Sequence, residues 1–206
     1  MGYRVLTVNR EFGSGGGRIA QSVAKWLGWK LLDREMIEAI AKAANMDPKV
    51  VKKYDEPVHS WLGRINHQAM RSASLAVGHQ FEEDTVFNAN SMADFSRRIV
   101  EDAYAKGNCV IVGRGAQCIL QHKTDAYHAF VYAPFLERVK RLQGRLEKGA
   151  NAEQRIRTTD QERAEYVMQR FGKNWNNPHL YNLMISSSEN EGSTARVILY
   201  AMTGQL

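Results

Sequence analysis

The feature that most constrains this chain lies at its beginning. Residues 3–9, YRVLTVN, form a short apolar run rich in β-branched residues that breaks at the glycine cluster Gly13 to Gly17. The following stretch, RIAQSVAKWLG, places Ile19, Val23, Ala24 and Leu27 on one helical face, and Gly28 closes it. The order is strand, glycine loop, helix. A phosphate group needs closely spaced backbone N–H donors pointing one way. Glycine lets a loop turn that tightly, and a helix N-terminus adds partial positive charge. Gly13, Ser14, Gly15, Gly16, Gly17 and Arg18 are therefore predicted to hold phosphate, with Arg18 reaching the β- and γ-phosphates. Against the pattern G-x-x-x-x-G-K-[ST], with Arg18 set at the lysine, Phe12 falls at the first glycine and Ile19 at the hydroxyl, so only Gly17 fits. A glycine-rich turn without a ligand is the other way to read the loop.

The rest of the chain continues the alternation. Lys30 to Leu32 read as a short strand ending at Asp33, before a helical stretch in which Met36, Ile37, Ile40 and Ala44 share a face. No convincing strand occurs from Asp47 to about Phe95, and this segment reads as a helical insertion. An amphipathic helix from Met92 to Ala105, with Phe95, Ile99 and Ala103 on one face, turns at Lys106-Gly107-Asn108 into the apolar run CVIVG. Further strands are expected at residues 129–134 and 182–187, a basic helix from Leu136 to about Glu147, and a terminal helix from about Gly192 to Met202. Five strands separated by helices predict an α/β fold with an open five-stranded parallel sheet and helices on both faces.

Charge narrows the function classes. The 206 residues carry a net charge of +6, with 44% apolar residues, enough for one sizeable core. Residues 1–30 and 138–163 each carry +4, the stretch between them −2, and the remainder is neutral. Basic charge in two separate places argues for a focused anionic ligand and against a general nucleic-acid surface. No apolar run has the length of a membrane span, and Arg4 and Arg10 leave no room for a signal-peptide core, so a cytoplasmic protein is expected. Cys109 and Cys118 lack the spacing of a zinc or redox motif and are expected as buried free thiols. His59, His67 and His79 lack metal-ligand spacing, and no metal-binding side chains are assigned.

Three further groups carry candidate chemistry. Arg114, at the end of an apolar strand and between two glycines, suits bidentate phosphate recognition, or else pairs with a surface carboxylate. Asp33, followed by Arg34, ends the second strand, where a carboxylate either accepts a ligand or metal-water hydrogen bond or caps the next helix. The stretch Arg138 to Arg163 holds eight basic residues and few apolar ones beyond Leu146, which predicts a mobile, arginine-rich lid or a solvated charged helix. Asp160 and Arg163, three apart on a helix, can pair.

The stretches REFGSGGGRIAQSVAKWLG, WKLLDREMIEAIAKAA, VIVGRGAQCIL, FVYAPFLERVKRL, TTDQERAEY and YNLMISS, in that order, resemble the cytidylate kinase-like family of P-loop nucleoside monophosphate kinases. The resemblance runs through nearly the whole chain. It implies one P-loop kinase-like domain over residues 1–206, with a nucleotide-binding insertion at about 34–98 and a lid at about 143–165. It also implies ATP with Mg²⁺ as donor and a nucleoside monophosphate as acceptor. By position, Gly13 to Arg18 would cradle donor phosphates, Asp33, Arg34 and Arg114 would face the acceptor, and Arg157, Asp160 and Arg163 would act from the lid. The chain departs from CMP kinases at Leu32-Asp33-Arg34-Glu35 and at Gly113-Arg114-Gly115, and it lacks the P-loop lysine and hydroxyl. Two functions follow as expectations: transfer of the γ-phosphoryl group of MgATP to a nucleoside monophosphate or other small phosphate acceptor, or non-catalytic nucleotide binding by a degenerate P-loop. Trp61, Phe81 and Phe87 amid Leu62, Ile65 and Leu75 make the insertion a candidate homodimer surface.

Overall fold

Val5–Arg10 is strand β1, and five of its six residues are buried, as an apolar run covered on both faces requires. The structure is a computed structural model that describes residues 2–33, 89–145 and 151–204. The remaining elements are α1 (Gly16–Leu27), β2 (Lys30–Leu32), α2 (Ala89–Lys106), β3 (Cys109–Val112), α3 (Ala116–Ile119), β4 (Ala126–Tyr132), α4 (Phe135–Gln143), α5 (Ala152–Phe171), a 3₁₀ turn at Pro178–Leu180, β5 (Leu183–Ser186) and α6 (Glu191–Thr203). Met1–Asp33 and Val100–Leu206 form one compact unit and Arg34–Ile99 another. The helical stretch expected after Asp33, Arg34 itself and the aromatic residues of the expected insertion lie outside the described residues.

The five strands are parallel, as expected, and their order is β2-β3-β1-β4-β5. Val8 pairs with Val112 and Arg10 with Val131, so the turns that leave β1, β3 and β4 share one edge of the sheet. Side chains alternate across the sheet. Leu6, Val8, Val110, Val112, Ala129 and Val131 pack with Ile19, Val23, Ala195 and Ile198 of α1 and α6 on one face. Phe130 points the other way, against Cys118, Val167, Trp175 and Leu180, so helices cover both faces.

Two expectations change in detail. β4 begins at Ala126 rather than 129, and His128, which reads as polar, is buried there with its Nδ1 2.7 Å from Thr7 Oγ1 of β1. The stretch predicted as a poorly anchored lid contains the 20-residue helix α5, whose Asn151 cap accepts the Gln154 amide at 3.0 Å. Ala152 and Ile156 are buried against Val139 and Leu142 of α4. Its apolar residues are few, but Ala152, Ile156 and Val167 are buried.

Candidate functional site

The glycine loop opens at the carboxyl edge of the central strand, where parallel α/β sheets hold ligands. Glu11 extends the β1–β4 pairing by one residue, donating its amide to Val131 O at 3.0 Å. The chain then turns at Ser14, whose amide and hydroxyl both donate to Glu11 O, at 3.3 and 2.8 Å. Gly13 and Gly15 have φ of +84° and +83°, a region that side-chain-bearing residues rarely enter. Gly15 caps α1, and the first intrahelical bond runs from Ile19 N to Gly15 O at 3.1 Å. The amides of Gly16, Gly17 and Arg18 precede it, so the helix offers them no i−4 carbonyl.

Helix α1 starts at Gly16, and this corrects the register expected for the phosphate-loop pattern. The lysine of G-x-x-x-x-G-K-[ST] opens its helix, so its place is Gly16, the hydroxyl place is Gly17 and the first glycine's place is Arg10. Arg18 stands two residues beyond the lysine. There its guanidinium forks onto the Glu191 carboxylate at the start of α6, with Nε 2.5 Å from Oε2 and Nη2 on Oε1. This pairing raises the Arg18 pKa. The same carboxylate fills the space where a side chain on Gly15 would begin.

Two arginines of α4 brace the loop from below. Arg138, almost wholly buried, donates through Nε to Ala133 O at 3.0 Å and through Nη1 to Phe12 O at 3.1 Å and Asp160 Oδ2 at 2.6 Å. Its Nε also lies 3.3 Å from Glu11 Oε2. Asp160, on α5, accepts the Phe12 amide on its other oxygen at 2.6 Å. Arg141 donates through Nη1 to Ser14 O at 3.2 Å and through Nη2 to Ser187 O at 2.7 Å, and the Ser187 hydroxyl donates to Ser14 O at 2.5 Å. The carbonyls of Arg10, Glu11, Phe12 and Ser14 are thereby occupied, and of the amides at the head of α1 the Gly16 amide makes a long contact with Ser14 Oγ at 3.4 Å.

The expected lid residues are partly drawn into this frame. Arg163 donates to Arg10 O at 2.8 Å, stacks 5.6 Å over the Phe12 ring and lies 3.9 Å from Asp160. The expected Asp160–Arg163 pair is thus the longer of two contacts, and Arg138 is the closer partner of Asp160. Arg157 lies 4.5 Å from the Phe135 ring centroid, on the side of α5 that meets α4. Arg114 is at the turn after β3 with φ +55°, between Gly113 and Gly115, both also at positive φ. A side chain on Gly115 would meet the Phe171 ring, so the turn is closed on that side. Asp33 follows β2 and is half-buried. Gly13 to Arg18, Asp160 and Arg163 are therefore brought together, Arg114 and Asp33 follow neighbouring strands, and Arg34 lies outside the described residues.

Sequence reasoning missed Arg10, Glu11, Arg138, Arg141, Ser187 and Glu191. For Arg138 a signal existed: Phe135, Arg138, Val139 and Leu142 share one helical face, and a charged residue on an apolar face implies a buried partner. Among the described residues, no group of three or more His, Cys, Asp or Glu could hold a metal ion. Both cysteines are free and buried, and burial pushes the Cys109 thiol up to about 12 and the Cys118 thiol up to about 11. No described helix is long and apolar enough to cross a membrane.

A five-stranded parallel sheet in this order, with a glycine loop leading from its central strand into a helix, is the architecture of the P-loop kinases. Comparison with known proteins agrees. Over residues 5–189 the chain matches the model of the cytidylate kinase-like family, and it belongs to that family. An uncharacterized protein from Eubacterium ventriosum ATCC 27560 superposes with a TM-score of 0.66 at 21% identity, over 98% of each chain. Shikimate kinase from Acinetobacter baumannii, in complex with shikimate, gives 0.52 at 13% identity over 98% of this chain and 94% of its own. A gluconokinase from Sinorhizobium meliloti 1021 gives 0.53 at 10% identity over 97% and 91%. At these identities the three share the fold with this chain. No curated protein matches it.

Proposed function

We propose that the protein is an ATP-dependent phosphotransferase that passes the γ-phosphoryl group of MgATP to a nucleoside monophosphate or another small phosphate acceptor. The observation that carries this reading is the loop itself. Its underside is pinned by Arg138, Arg141, Asp160 and Ser187, while the amides of Gly16, Gly17 and Arg18 head α1. A rigid row of N–H donors at a helix N-terminus suits a polyphosphate.

In this reading the acceptor oxygen attacks the γ-phosphorus in line. The bond to the β–γ bridging oxygen breaks, its electron pair leaves on ADP, and any proton on the acceptor oxygen passes to water. Loop amides hold the donor. Arg157 and Arg163 act from α5 beside charge that develops on the γ-oxygens, Asp160 keeps the loop and Arg163 in register, and Asp33, Arg34 and Arg114 face the acceptor. Residues 34–98 serve as the acceptor-binding insertion and about 143–165 as the lid. Mg²⁺, when bound, neutralises charge on the β- and γ-oxygens. With Gly17 at the hydroxyl position, the ion would rest on phosphates and water more than on side chains.

Loss of the lysine and hydroxyl at Gly16 and Gly17 favours one rival, a nucleotide-binding regulator without turnover. Incubation with MgATP and a panel of nucleoside monophosphates, deoxynucleoside monophosphates and small acceptors separates the two. The phosphotransferase forms ADP at a rate set by one acceptor; the regulator binds ATP and forms none.

A further inference from the structure

We propose that Arg10 carries the charge that a phosphate-loop lysine ordinarily supplies, and that residue 16 is glycine because the stem of Arg10 fills the space a lysine there would need. The inference rests on the phosphotransferase reading and adds a catalytic residue to it.

The start of α1 fixes the register: Gly16 holds the lysine's place and Arg10 the place of the pattern's first glycine, six residues earlier. The cation and the glycine have thus changed places, and the two positions touch. A Cβ placed on Gly16 would come 2.6 Å from Arg10 Cβ, 3.0 Å from its Cγ and 3.4 Å from Val131 Cβ. Contacts that short exclude any side chain at 16 while Arg10 is present. From there Arg10 runs towards the turn after β3, where its Nη1 occupies the space a Cβ on Gly113 would take. Its stem therefore lies against the head of α1, and its guanidinium lies at the turn that carries Arg114.

The backbone from which Arg10 springs is held on both sides. Its amide donates to Asn9 Oδ1 at 3.1 Å, and its carbonyl accepts Arg163 Nη1 at 2.8 Å. Arg18, the other cation of the loop, is turned onto Glu191. A guanidinium stays charged at any working pH, and its planar fork can meet two oxygens of a phosphoryl group together, where an ammonium is a point charge. Held at the turn after β3 by a stem that lies against the head of α1, that charge stabilises the β–γ bridging oxygen as its bond to phosphorus breaks.

The experiment uses Arg10→Met, which keeps the stem and removes the charge, with Gly16→Lys and the double variant Arg10→Gly/Gly16→Lys. Calorimetric titration with the magnesium complex of a non-hydrolysable ATP analogue, with tripolyphosphate and with AMP reads binding, and thermal unfolding reads the packing. Arg10→Met is expected to weaken the ATP analogue and tripolyphosphate at least tenfold while AMP binding stays within twofold. Gly16→Lys alone is expected to lower Tm and abolish analogue binding, and the double variant to recover both in part. A wild-type protein that binds the analogue, together with an Arg10→Met variant that binds it equally well, overturns the role of Arg10 and leaves the functional reading standing. Gly16→Lys folding and binding as well as the double variant overturns the exchange of places. A wild-type protein that binds neither the analogue nor tripolyphosphate overturns the functional reading and the role of Arg10 together.

Discussion

Arg138 and Asp160, 22 residues apart, form an ion pair with Nη1 2.6 Å from Oδ2, directly beneath the backbone of Phe12. Arg138 donates to the Phe12 carbonyl and Asp160 accepts the Phe12 amide, so one pair fixes both polar groups of the residue that precedes the glycine loop. Removing one member of a buried ion pair costs about 3–5 kcal/mol when the other charge is left alone, and Glu11, 3.3 Å from Arg138 Nε, keeps the loss here towards or below the lower end. Asp160→Ala is expected to lose roughly 2–3 kcal/mol of stability in urea unfolding and to weaken nucleotide binding. Asp160→Asn, which can still accept from Phe12, is expected to lose less. Equal stability of Asp160→Ala and wild type would show that the pair does not hold the loop.

Glu191 and Arg18 give a second prediction. The Glu191 carboxylate lies against Gly15 in the position of an anion, and a phosphate entering the loop must meet or displace it. Glu191→Gln is expected to tighten tripolyphosphate binding by roughly two- to fivefold at low salt, the scale of one exposed charge pair, with the gain shrinking as salt rises. Isothermal titration at two ionic strengths checks it. Weaker binding would instead make Glu191 a support that holds Arg18 in its working position.

The cysteines should be inert in the native protein. With thiol pKa values of about 12 and about 11, their thiolate fractions at pH 8 are on the order of one part in ten thousand and one in a thousand. A chromogenic disulfide reagent at pH 8 should label the folded protein at less than about a tenth of the rate seen in denaturant. Labelling of either thiol at the denatured rate would contradict their burial.

His128 makes stability depend on acid. Burial holds its pKa below the ordinary histidine range, so between about pH 6.5 and its folded value the unfolded chain binds a proton that the folded chain does not. Stability contributed by this residue therefore falls as pH falls through that window. Urea midpoints at pH 7.5 and 5.5 should differ more for wild type than for His128→Asn, and an equal difference would remove His128 as the cause.

The sheet and the first helix were legible because apolar periodicity and glycine punctuation describe them locally. Val5 to Val8 and Cys109 to Val112 are buried on both faces, and Gly28 closes α1 with φ +65°. Positions whose meaning depends on a distant partner were not legible. His128 looks like a strand end until Thr7 of the neighbouring strand is beside it, and Arg138 looks like one of eight basic residues until Asp160 and Phe12 converge on it. The loop was found from its glycines, but its register was set two residues late. Gly15 and Gly16 are alike in sequence, and only the first helical turn shows which of them caps the helix.

In the proposed function the braced, lysine-free loop still supports phosphoryl transfer. This is tested most directly by ³¹P NMR of MgATP with the protein and each acceptor of the panel in turn. Loss of the γ-phosphorus resonance, growth of ADP resonances and a new phosphoryl resonance on one acceptor are expected, all absent without that acceptor. ATP that binds the protein yet keeps its γ-resonance with every acceptor would contradict the proposed function.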